Sequence, residues 1–380
     1  MKKILMVIAV FCMSFSTDYS QKAKPATIKV LVEKGAEKVL LDVKGRHHVY
    51  NPDDGSHITS HVTSRKHPVT VEEYGLRWGE KFPGTYRLRF VPGDSTSTIL
   101  VNGIEYKGCV ELHSIEGKLF VINEVDVETY IKSILTAQFA EPRSEEVMNA
   151  IAIIARTNVY YLLSKNMTSI WHLDGAESHF EGAALLGTKP HVDHAVEVTR
   201  HAIMTLNGNP FPATWSEDSA GQTVDFATML RKPALVPNGV NAPIAARERK
   251  HHMWSFTTSK ENLAKVANLP HIQAIDLYLI PQTTKVYGAK LKCSGSSNDV
   301  DFITLQKVLG SQRLRSNDFT VTSKGDQLVF TGYGDGLSVG LCLFSAEALA
   351  KKGEKASDML ASFFPSTQLE KVRALAVDTK

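Results

Sequence analysis

Residues 144–157 read SEEVMNAIAIIART, and this stretch decides the fold class. Pro142 breaks the chain just before it. Ser144 is placed to cap a helix, and Glu145 and Glu146 in the first turn suit the positive end of the helix dipole. Val147, Ile151, Ile154, Ala155, Tyr161 and Leu162 then share one face, which predicts a long helix. Arg156 sits on that otherwise apolar helix. If buried it needs a carboxylate or carbonyl partner, so it reads as structural. Just upstream, Val127, Tyr130, Ile131, Ile134 and Leu135 repeat at helical spacing. Before them the pattern changes to strands, at 28–32, 39–43, 86–90, 98–101 and 118–122, with turn clusters at 51–55, 82–84 and 91–94. Downstream, 192–199 reads helical, 203–206, 275–280 and 328–331 read as strands, and 343–352 as a helix. Strands first and mixed elements after give an α+β chain in at least two lobes.

The composition excludes several classes. The 380 residues are 43% hydrophobic and 22% charged, ordinary for a folded chain and unlike a collagen, a disordered chain or a multi-span membrane protein. Lys+Arg 43 against Asp+Glu 40 gives +3, too small a charge for a dedicated nucleic-acid binder. Residues 1–16 read as a signal peptide: Lys2 and Lys3, an apolar run from Ile4 to Phe11, and small Ser14 and Ser16 before a cut after Ser16. The run is too short for a membrane anchor. Export to the periplasm or cell envelope is therefore expected. Cys12 follows the bulky Phe11, which argues against lipidation. Cys109, Cys293 and Cys342 form no CxxC pair and read as buried small hydrophobes, with one disulfide plus a free thiol as the other reading.

Three motifs are set aside. Residues 332–336, GYGDG, lack the third glycine of a dinucleotide fingerprint and the lysine of a P-loop, so no nucleotide is expected. His191 and His194 lack the carboxylate spacing of a zinc site, so no metal or other cofactor is expected. His251 and His252, among Arg247, Arg249 and Lys250, read as a solvated basic face.

Six segments in order carry a resemblance. They are VETYIK at 127–132, SEEVMNAIAIIART at 144–157, FEG at 180–182, AVEVTR at 195–200, ATWSEDSAGQT at 213–223 and FTGYGDGLSVG at 330–340, with Ser345-Ala346 and FFP at 363–365 following. Together they resemble the stage II sporulation protein D and amidase-enhancer (SpoIID/LytB) family. The resemblance implies a SpoIID-like fold: signal peptide 1–16, linker 17–25, β-rich region 26–123, a two-lobed core with a cleft over 124–365, and a tail over 366–380. It also implies a cell-wall role. Members in sporulation are lytic transglycosylases that cut the MurNAc–GlcNAc bond of peptidoglycan, and the others assist a cell-wall amidase, so the implied partners are glycan strands and such an amidase.

That chemistry needs one carboxyl group to protonate the glycosidic oxygen and then take a proton from the muramyl hydroxyl. Counting back from Arg156-Thr157, the family's glutamate position holds Gln138, and an amide cannot donate and reclaim a proton. Ser216 and Leu337 stand where the family has histidines, and Leu343 where it has glutamine. The resemblance therefore implies glycan binding with weak or absent cleavage. The alternative is an active enzyme with a displaced acid, for which Glu141, one helical turn beyond Gln138, is the candidate. The implied substrate-binding residues are Trp215, Ser216, Glu217, Asp218, Ser219, Gly221, Thr223, Gly334, Gly336, Leu337 and Gly340. Glu217 and Asp218 are either cleft acids or a turn capping its own backbone. Gln138, Ser219, Gly221, Thr223 and the 334–340 loop are expected to converge.

Overall fold

The computed structural model describes residues 27–266 and 268–372. The leader expected over 1–16 and the linker over 17–25 lie outside the described residues. The chain is a mixed α+β protein.

The first hundred described residues build two facing antiparallel sheets. One runs, in spatial order, Thr27–Ala36, Lys118–Asp126, Cys109–Ile115, Arg87–Pro92, His47–Tyr50 and His57–His61. The other runs Ile104–Tyr106, Thr98–Val101, Lys38–Lys44, Arg65–Glu72, Gly75–Trp78 and Glu80–Pro83. Alternate residues point inward, as the period of a half-buried strand requires: Val39, Leu41 and Val43 on one sheet, Leu88, Phe90, Val110 and Leu112 on the other. Trp78 bridges them, edge-on to Phe90 at 4.9 Å, with its indole N–H donated to the Leu41 carbonyl. The short segment Leu173–Asp174 returns later to pair in parallel with the edge strand Thr27–Ala36.

The helices follow. Helix α1, Val127–Gln138, is capped by the Asp126 carboxylate, which accepts the Thr129 amide. Helix α2, Glu145–Asn166, starts where its acidic first turn predicted. Ser144, however, gives no side-chain cap; its hydroxyl and amide go to the Glu347 carboxylate. Helix α3, Gly175–Ser178, is one turn, and α4, Pro190–Val198, packs across α1 and α2. Within the segment expected as a tail, Gln368–Lys371 forms a strand against Ala202–Thr205.

Arg156 is what locks this region. It is fully buried and pairs bidentately with Glu128 of α1, at 3.0 and 2.6 Å. Its remaining N–H groups go to the carbonyls of Ala202 and Val196 and the hydroxyl of Thr199. Glu128 in turn accepts the His201 amide. One guanidinium thus ties α1, α2, the end of α4 and the strand after it, with every charge matched.

Apolar residues between Val224 and Val339 form a second cluster, separate from the first, while Leu341 to Val372 return to the first. The second cluster gathers the sheets Met253–Ser259/Gln327–Tyr333/Asp318–Lys324 and Ala274–Leu279/Val286–Cys293/Ser296–Asp301 with the helix Phe302–Leu309. The three described cysteines are unpaired.

One part of the first core is expected to respond to acid. His47 is fully buried, its Nε2 has no partner, and His61 lies 5.0 Å away ring to ring. Burial holds both imidazoles below their ordinary value of 6.5, and nearby Arg65 acts in the same direction. The unfolded chain therefore takes up these protons first as pH falls. Stability is full above about 6.5 and is lost below it. The thermal midpoint is expected to drop between pH 7.5 and 5, and less steeply in His47→Gln. A flat profile in the wild type would remove the buried-imidazole account.

Candidate functional site

Two chain segments lie side by side at the junction of the two apolar clusters. Trp215–Ser216 pairs in parallel with Leu341–Cys342, Asp218 and Asp335 exchange both backbone hydrogen bonds at 2.9 Å, and the Val224 amide reaches the Ser338 carbonyl. Glycine is required here by contact. A Cβ at Gly340, whose φ is +74°, would lie 1.9 Å from the Thr214 carbonyl oxygen; one at Gly334, with φ +82°, would lie 2.5 Å from that of Asp218. Ser219, Gly221, Thr223 and the 334–340 loop are therefore brought together.

Most of these residues face inward. Ser216 is buried, its hydroxyl donating to the Val339 carbonyl and accepting the Val339 amide. Thr223 is buried and latches Val240, and Ser219 is buried with its hydroxyl unpartnered. A Cβ at Gly336 would touch Ser216, and Leu337 packs on the second cluster. Of the adjacent acids, Asp218 is buried and caps the Ala220 amide, while Glu217 is exposed and accepts from Arg143 Nη2 with both carboxylate oxygens. Trp215 is half-buried, 5.7 Å from the Phe139 ring.

Beneath the loops lies a charge cluster that pattern reading missed. Lys285, fully buried, donates to the Ser219 carbonyl at 2.5 Å and to Asp318 at 2.8 Å. Asp318 also takes Arg249 at 2.7 Å and the Thr284 hydroxyl. Burial pushes the Lys285 ammonium below its ordinary pKa, against the pull of Asp318. Arg249 further caps the Ala220 carbonyl and covers the Tyr333 ring at 4.4 Å. His252 pairs with buried Asp218 at 2.6 Å. The stretch expected to be a solvated basic face is therefore only partly so. His251 is exposed, but Arg249 and His252 turn inward because buried aspartates need countercharges. His191 reaches the Phe139 carbonyl and His194 reaches Glu145, so the two take separate partners.

Gln138 lies elsewhere on this surface. It is exposed at the C-terminus of α1 and lines a cavity of about 550 Å³ with Tyr130, Asn158, Asp174, Glu177, Thr214 and Trp215. None of Ser219, Gly221, Thr223 or the 334–340 loop lines that cavity. The link between them is Trp215, next to Ser216, which touches Gly336. Glu141 is placed differently from expectation. Helix α1 ends at Gln138 with Phe139 as its C-cap, so Glu141 is not one helical turn beyond it. Glu141 is exposed in the connection before α2 and does not line the cavity. The carboxylates that do are Asp174 and Glu177, from the segment just before FEG. Only proximity to that motif could have signalled them.

Residues 115–206 match the family model described as Stage II sporulation protein, a span that includes Glu128, Arg156, Val196 and Ala202. An uncharacterised protein of Chlamydia muridarum (strain MoPn / Nigg) is 31% identical over 179 residues, which is 47% of this chain and 62% of the relative. A Chlamydia pneumoniae protein is 29% identical over 47% of this chain and 65% of its own length. The matches thus span less than two thirds of these two relatives. The stage II sporulation protein D of Bacillus subtilis (strain 168) is 20% identical over 269 residues, 67% of this chain and 77% of that protein. On the family-model match over 115–206 and the likeness to the Bacillus subtilis protein, the chain belongs to the stage II sporulation protein D family.

Proposed function

We propose that this protein is exported and binds peptidoglycan glycan strands during cell-wall remodelling, with weak or absent cleavage. In this reading the two apolar clusters are the two lobes of a SpoIID-like core. A cell-wall amidase is the protein partner that such a strand binder would assist. The reading is carried by Gln138, an amide where the resemblance implies the family's acid. It lines a cavity large enough for a sugar unit, beside the half-buried indole of Trp215. Amide, Asn158 and carboxylates supply donors and acceptors for sugar hydroxyls, and the indole supplies an apolar face. Export rests on the order of charge, apolar run and small residues over 1–16.

A second reading is favoured by Asp174 and Glu177, which line the same cavity as Gln138. It is an active lytic transglycosylase whose acid comes from one of them rather than from Glu141. Incubation with purified, peptide-free glycan strands separates the two. The binder is expected to co-sediment with strands, to release no anhydro-muropeptides by mass spectrometry, and to bind nearly unchanged as Gln138→Glu. Clear release lost by roughly 10²–10⁴-fold in Glu177→Gln or Asp174→Asn would establish the enzyme instead.

A further inference from the structure

The cavity beside Gln138 does not end at Glu177. A second cavity of about 600 Å³ shares Asn166, His172, Leu173, Asp174 and Glu177 with it, so the two form one continuous groove. We propose that this second cavity is a distal subsite for one neutral 2-acetamido-sugar ring, built on Trp171 and His172. The proposal rests on the strand-binding reading and extends it to a second place along the strand.

The floor is an aromatic platform. Trp171 lines the cavity, is half-buried, and stacks on Phe120 with ring centroids 5.8 Å apart and planes 14° apart. An indole braced on one face by a phenyl ring is held flat, and its other face suits the apolar C–H face of a pyranose.

The wall is a histidine with a fixed tautomer. His172 Nδ1 accepts the Lys29 amide N–H at 3.0 Å, so in the neutral ring the proton must sit on Nε2. Burial and the Lys29 charge keep this imidazole below its ordinary pKa, hence neutral near pH 7. Its amide donates to the Lys29 carbonyl and its own carbonyl accepts Asn166 Nδ2. The residue is thus held at three points, two on Lys29 of the edge strand and one on Asn166 at the end of α2, and Nε2–H makes no hydrogen bond among the described residues. It is a donor oriented for a sugar acetamido carbonyl or hydroxyl oxygen. Asp174 and Glu177, at the boundary of the two cavities, accept hydroxyl protons. Those two carboxylates disfavour a polyanionic ligand, which makes a neutral amino-sugar strand the better fit.

Of the four tryptophans, Trp78 and Trp254 are buried, so fluorescence reports mainly on Trp171 and Trp215 in the groove. The test titrates the purified protein with peptide-free glycan strands and with β-1,4-linked N-acetylglucosamine hexamer and dimer. Trp171→Ala and His172→Phe are expected to weaken strand and hexamer binding by about tenfold or more and leave the dimer, held beside Gln138, within about twofold. Thr168→Arg provides a variant that does not threaten the fold. Thr168 is exposed and lines only the second cavity, so the added side chain fills the subsite and is expected to give the same length-dependent loss. Wild-type strand binding that is unchanged in Thr168→Arg and Trp171→Ala would overturn the subsite while leaving the strand-binding reading intact. A wild type that binds no strand would overturn both. Tighter binding of a phosphate-bearing polymer than of neutral strands would overturn the sugar assignment.

Discussion

Arg156→Leu is expected to lower stability by roughly 3–5 kcal/mol, a large part of what a domain of this kind has. The guanidinium is fully buried, and removing it strands the Glu128 carboxylate in the core with only the His201 amide and partly exposed His201 ring near it. The carbonyls of Ala202 and Val196 lose their donors in the same step. An uncompensated buried charge costs more than the pair contributes, so the double variant Arg156→Leu/Glu128→Leu is expected to recover much of the loss. Urea unfolding of the three proteins checks this. A single variant within about 1 kcal/mol of the wild type would mean that Arg156 and Glu128 are not buried together.

Arg156 was also the point at which the sequence spoke most clearly about structure. A lone guanidinium on an apolar helix face has few physical outcomes, and pairing with a carboxylate is the one found. The start of α2 and the helical run of α1 were legible for similar reasons: an acidic first turn and apolar spacing set them locally, although the caps were not, since Ser144 gives none and Asp126 supplies one. The short strands His47–Tyr50 and His57–His61 were not legible, since HHVY and HITSH are too short and too rich in histidine for an apolar alternation to show in sequence. Their pairing is decided by neighbours distant in the chain. Glu141 was misplaced because a helical pattern was extended past the point where α1 stops. The convergence of Ser219, Gly221 and Thr223 with 334–340 could be expected from shared motifs, but their inward orientation could not. Ser216 and Thr223 look like a polar cleft in sequence and act as hydrogen-bonded latches in the structure. Of the groove wall from Trp171 to Glu177, the sequence offered only Trp171, an aromatic able either to stack on a sugar face or to pack in a core, because the wall forms only when a two-residue strand docks on the sheet edge.

Lys285 was the least legible residue, and its replacement carries the second large effect. It follows two threonines in a turn, where a lysine normally points into water; only tertiary pairing makes it buried. Lys285→Met keeps the length and apolar stem but removes the ammonium. Two terms oppose each other. Burial already disfavours the charged amine, so methionine relieves a desolvation cost. Against this, the Ser219 carbonyl loses a 2.5 Å hydrogen bond, and Asp318 keeps its charge with only Arg249 and Thr284 to match it. An under-satisfied buried carbonyl and carboxylate outweigh the relief, giving a net loss of about 2–3 kcal/mol. The loss falls on the junction rather than on the β-rich sandwich, which Lys285 does not touch. Hydrogen exchange is therefore expected to rise at the amides of 219–223 and 334–340 and to stay unchanged across Cys109–Ile115 and Lys118–Asp126. Because Trp215 sits four residues before Ser219 and helps line the Gln138 cavity, the strand binding proposed above is expected to weaken in the same variant. Lys285→Met with wild-type exchange at 219–223 would show that the ammonium does not hold this turn. The loops would then depend on their glycine contacts, the Asp218–Asp335 and Val224–Ser338 backbone bonds, the Ser216–Val339 bonds and the Asp218–His252 pair.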